Sequence, residues 1–176
     1  ARDFSTPERL LTQGRVLVMY LGQILLPWPD FFPFNYDNYE VSRSLWQPWS
    51  TLPALLLLLA LLIWAWRWRT RRPLFACGIL LFFAGHFVSS NVIGLELVFE
   101  HRNHFPLIGA ILAIADLLHG LARVYALPSR LEQGFIAAVM LALVAACSLP
   151  LHTWSDPARH GKKMTEQTPG SSRAWA

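Results

Sequence analysis

An all-α, polytopic membrane protein is what this sequence predicts, with about four transmembrane helices, one interfacial or re-entrant helix and a short polar helical tail. Three observations carry that expectation. Of the 176 residues, 54% are hydrophobic and only 15% charged, with eight tryptophans, a balance that points away from a soluble globule. Four apolar segments approach the roughly 20 residues a helix needs to cross a bilayer. Between two of them, "RWRTRRP" places Arg67, Arg69, Arg71 and Arg72 in one short turn, the kind of bias that orients membrane helices.

The elements follow in order. The opening "ARDFSTPERLL" has mixed charge and lacks the apolar core of a signal peptide, so a piece of a longer chain is expected. Ser5 or Thr6 offers an N-cap, with Pro7 in the first turn. The run after Arg15, "VLVMYLGQILLPW", is cut off by Pro27 and Pro29 and is short for a span. It is read as an interfacial or re-entrant helix over about 8–28, a tilted fifth span being the other reading. An aromatic loop, 29–50, comes next. The four spans are expected at about 51–68, 74–94, 106–127 and 134–151. Trp64, Trp66 and Trp68 stand as an interfacial belt before the arginines. Residues 1–152 thus form a membrane domain and 153–176 a polar tail, in which "PGSSRAWA" opens a further helix.

The positive-inside rule makes the arginine turn and the "PSRLEQ" turn cytoplasmic. The aromatic loop, the segment around "EHRNH" and the tail then lie on the non-cytoplasmic side. Nucleic acid is not an expected partner despite the net charge of +4. Cys77 and Cys147 sit in apolar runs without a CxxC pattern and read as small buried side chains.

Polar groups in so apolar a chain mark the candidate sites. "LELVFEHRNHFP" gathers Glu96, Glu100, His101, Arg102 and His104. One reading is a site for an anionic head group, with Arg102 contacting phosphate in a bidentate fashion and Glu100 and His101 beside it. The others are a salt-bridged loop among lipid head groups and a metal site from Glu100, His101 and His104, whose spacing is poor for one helix. Asp116 and His119 share a face within the third span, where an ionisable group needs a partner or a water-filled cavity. His86 is the candidate partner, in either a structural hydrogen bond or a functional pair. Haem is disfavoured, since no two helices carry evident axial ligands. The aromatic loop, with Asp30, Asp37 and Glu40, suits either sugar stacking or anchoring in head groups.

Three patches, "ERLLTQGRVLVMYLGQILLPWPDFF", "YDNYEVS" and "FFAGHFVSSNVIGLELVFEHRNHFPLIG", taken in that order resemble the membrane domain of bacterial proteins that carry C-terminal tetratricopeptide repeats. They are distantly similar to the transmembrane and tetratricopeptide-repeat O-mannosyltransferases. Arg9, Leu11 and Thr12 match the first element of that pattern, Tyr20, Pro27 and Asp37 the second, and Ser90, Asn91, Glu100, Arg102 and Pro106 the third, with His101 intervening between Glu100 and Arg102. The resemblance implies a GT-C type glycosyltransferase in the bacterial inner membrane. Its donor is a polyprenyl-phosphate-linked sugar on the non-cytoplasmic face, and downstream repeats engage a protein acceptor. It assigns substrate binding to Glu100, His101, Arg102, Asn91, Asp37, Tyr20 and Arg9 and requires no cofactor. Such enzymes carry their catalytic carboxylate in a first outer loop that this chain does not show. The chain is therefore expected to be the distal part of the domain and inactive alone. The alternative is a non-catalytic membrane anchor that displays the repeats for protein assembly.

Overall fold

The structure, a computed structural model, describes residues 5–27, 36, 39–87, 98 and 103–148, the Cys147 side chain excepted. Within these residues the chain forms five helices and no strand: α1 (Thr6–Leu25), α2 (Thr51–Trp68), α3 (Pro73–Phe87), α4 (His104–Val124) and α5 (Ser129–Ser148). Three stretches are long and apolar enough to cross a membrane: α2, α4 and residues Ser129–Ala146 of α5. The described α3 has 15 residues and reaches only about 22 Å at 1.5 Å per residue. The rest of its expected span, 88–94, lies outside the described residues.

Local chemistry explains the ends. At the start of α1 the Ser5 N–H and hydroxyl both donate to the Glu8 carboxylate, each at 2.7 Å, which satisfies a free end group and places a negative charge at the positive pole of the helix. This pulls the Glu8 carboxyl below its ordinary pKa, the backbone bond from Ser5 first and the hydroxyl bond second. Pro73 opens α3, where its missing N–H costs nothing. α4 closes through Ala126 at φ 50, with the Leu127 N–H donating back to the Ala122 carbonyl at 2.9 Å.

α3 and α4 run antiparallel along a seam of small residues. A Cβ on Gly78 would stand 2.5 Å from the Gly109 carbonyl oxygen, and one on Gly109 equally close to that of Gly78. Backbones this near each other need glycine, and they gain van der Waals contact that lipid cannot supply. One turn away, Ala113 joins Ala65, Phe75, Ala76 and Ile79 in a cluster against which Trp64 and Trp68 pack. The three tryptophans before the arginines divide by environment. Trp66 is exposed, whereas Trp64 and Trp68 turn inward, their rings 4.8 and 6.1 Å from that of Phe75.

The antiparallel order gives the bundle two ends. One holds the arginine turn, the end of α4 and the start of α5. At the other lie the starts of α2 and α4 and the end of α3, and here α1 docks. Leu55 and Leu58 of α2 close over Gly14, and Tyr20 meets His86 in the last turn of α3.

Candidate functional site

The buried face of α1 is polar. Arg9, Gln13, Val16, Tyr20 and Gln23 repeat at alternating steps of four and three and are all buried, as are Thr12 and Gly14 beside them. Leu10 and Leu25 face outward, 46% and 64% exposed. This inverts the usual amphipathic arrangement. Next to apolar helices, it concentrates hydrogen-bonding groups in a low-dielectric seam where each interaction is strengthened.

Residues 39–51 seal one side of the seam. The Thr12 hydroxyl donates to the Glu8 carbonyl at 2.7 Å and accepts the Ser42 N–H at 2.8 Å. Thr51, at the head of α2, donates to the Ser42 hydroxyl at 3.0 Å. Arg15 reaches the Glu40 carbonyl at 2.8 Å and the Ser42 hydroxyl at 3.3 Å, and its guanidinium lies 5.1 Å over the Tyr39 ring. Burial raises the Tyr39 pKa, and the charge of Arg15 opposes that rise. Nearer the end of α1, the Gln23 amide donates to the Tyr36 hydroxyl at 2.8 Å.

His86 closes the other side. Its ring is 1% exposed, stacked on Tyr20 with centroids 5.4 Å apart and planes 14° apart, and edge-on to Phe82 at 4.8 Å. The Asn103 side chain, immediately before α4, interacts with it. Val98 is buried against Val16 and Tyr20.

Of the residues singled out in the sequence, Arg9 and Tyr20 thus share one buried helix face. Glu100, His101, Arg102, Asn91 and Asp37 lie outside the described residues. The arrangement adds Thr12, Gln13, Gln23, Ser42 and Thr51, which the sequence reading passed over. For Thr12, Gln13 and Gln23 the signal is helical spacing within "ERLLTQGRVLVMYLGQIL", where the polar side chains fall on one side; Ser42 and Thr51 carry no such signal.

The expected pairing of His86 with Asp116 is not formed. Asp116 is engaged by Arg72, and His119 Nδ1 lies 2.9 Å from the Glu132 carboxylate of α5. The cause is the antiparallel register: Gly85 sits against Phe105 and Pro106 at the start of α4, so His86 and Asp116 occupy opposite ends of the bundle. Among the described residues no three His, Cys, Asp or Glu side chains gather to hold a metal ion.

Chemically, a buried guanidinium, two carboxamides, a phenol and an imidazole form a polar seam between α1 and its neighbours. Comparison with protein-family models, with curated proteins and with solved structures finds no match.

Proposed function

We propose that the chain is the distal part of an integral membrane glycosyltransferase of the bacterial inner membrane. In this reading the enzyme takes sugar from a polyprenyl-phosphate carrier on the non-cytoplasmic face. The observation that carries it is the contact of Tyr20 with His86, which in turn interacts with Asn103. Arg102 directly precedes Asn103 in the chain. In this reading Arg102 and His101 lie at the carrier phosphate and Glu100 holds the arginine in place, Arg9, Tyr20 and Asn91 contribute elsewhere to substrate binding, and Asp37 belongs to the sugar or acceptor cleft. When the bond between the anomeric carbon and the phosphate oxygen breaks, the departing carrier gains negative charge, and a cation held there stabilises it. Four helices span the membrane, α1 lies at the non-cytoplasmic interface, the arginine turn is cytoplasmic and the tail 153–176 is non-cytoplasmic.

The test is binding of a polyprenyl phosphate to the detergent-purified intact protein, comparing wild type with Arg102→Ala and Glu100→Gln at matched thermal stability. Binding that falls at least tenfold in Arg102→Ala supports the transferase. Equal binding by all three proteins, or binding by none, rejects it in favour of an anchor that displays repeats.

A further inference from the structure

The outer face of α3 carries an unassigned feature, which starts at the end of the bundle opposite α1. An open groove of about 460 Å³ runs along the outer face of α3, lined by Pro73, Ala76, Cys77, Leu80 and Ala84, with Arg69 at its head. Pro73 to Ala84 is about 16 Å of helix, close to half of a hydrocarbon core about 30 Å thick. The groove is therefore one leaflet deep and begins at the arginine turn.

We propose that this groove binds an anionic phospholipid, with an acyl chain along α3 and the phosphate at Arg69. Charge complementarity selects the ligand. Arg67, Arg69 and Arg71 are exposed around the turn. The acidic side chains described at this end are already engaged, Asp116 by Arg72 and Glu132 by His119. Arg69 is held in place: its guanidinium stacks 4.2 Å over the Trp66 ring and one nitrogen donates to the Trp66 carbonyl at 2.8 Å. The rest of its planar fork has the geometry to hold a phosphate. Below it the lining is almost wholly apolar, small at Pro73, Ala76, Cys77 and Ala84 and flanked by Leu80 and Leu81, a shape that admits a hydrocarbon chain and offers nothing to a soluble anion. Clustered arginines flanking transmembrane helices favour anionic head groups by about fivefold in affinity per charge.

The experiment uses the full chain in detergent, with retention of phosphatidylglycerol against phosphatidylcholine measured by native mass spectrometry. Three variants at exposed positions are compared: Arg69→Gln, Ala84→Phe and Arg130→Gln. Wild type retains phosphatidylglycerol preferentially, Arg69→Gln weakens that by roughly fivefold, Ala84→Phe weakens it with the charge intact, and Arg130→Gln leaves it unchanged. Equal retention of the two lipids by wild type overturns the proposal. So does an equal loss in Arg69→Gln and Arg130→Gln, or full retention in Ala84→Phe, because both describe diffuse surface charge without a groove.

Discussion

The Arg72 guanidinium donates to the main-chain carbonyl of Asp116 at 2.9 Å and stands 3.5 Å from its carboxylate. It covers Gly120 as it does so. One side chain therefore ties the start of α3 to the carboxylate and the backbone of α4, and a residue larger than glycine at 120 would displace it. The carboxylate side is 13% exposed and the arginine 30%, so removing the cation strands a mostly buried charge. Arg72→Ala should cost about 2–3 kcal/mol. Pairing it with Asp116→Asn should recover part of that loss, which thermal unfolding of the four proteins of the cycle in detergent would show.

Gly109→Val should separate α3 from α4. The new Cβ meets a main-chain oxygen rather than a flexible side chain, so the helices must move, at a cost of about 2–4 kcal/mol. Gly22 has open space at the same position, and Gly22→Ala should be neutral or stabilise by about 0.5–1 kcal/mol. Melting temperatures in one detergent compare the two directly.

Thr12→Val keeps the shape but leaves the buried Ser42 N–H without its acceptor. A loss of about 1–2 kcal/mol is expected, localised to 39–51. Hydrogen exchange should quicken at Ser42 while the α3–α4 seam remains protected.

Acid should loosen the start of α1 before the rest. Because the folded Glu8 pKa is lowered, its contribution is complete above the unfolded carboxyl value and disappears as pH falls through the lowered folded one. Exchange of the Ser5 amide should accelerate over that acid window, and Glu8→Gln should flatten the dependence.

The proposed topology puts Ser44 and Thr70 on opposite membrane faces. With Cys77 and Cys147 replaced by alanine, Ser44→Cys should react with an impermeant maleimide from outside intact cells and Thr70→Cys only after lysis. Labelling of both from one side rejects the topology.

Much of the bundle was legible because bilayer thickness sets helix length. α2 falls at 51–68 as expected, bounded by Pro53 in its first turn and by the arginines. α5 starts at Ser129 rather than near 134. Polar residues read as a loop form its first turn, with Leu131 and Glu132 both donating to the Pro128 carbonyl. The end of α4 carried no glycine signal, since Ala126 itself takes the positive φ. The α1 seam is masked in the sequence because a mostly apolar run of 13 residues, 16–28, dominates the segment while the polar residues on its buried side are spaced three and four apart. Asp116 meets Arg72 rather than the expected His86, because a sequence gives each group's neighbours in the chain but not which end of the next helix they meet.

The inverted face of α1 has a consequence for how the protein is made. Of the five helices, α1 leaves the ribosome first, yet the partners of Thr12, Tyr20 and Gln23 belong to segments synthesised after it. Until residues 36–51 and α3 emerge, its polar face lacks the groups that satisfy it in the folded bundle. α1 is thus made before the partners that satisfy its polar face, and its docking waits on the segments that follow it.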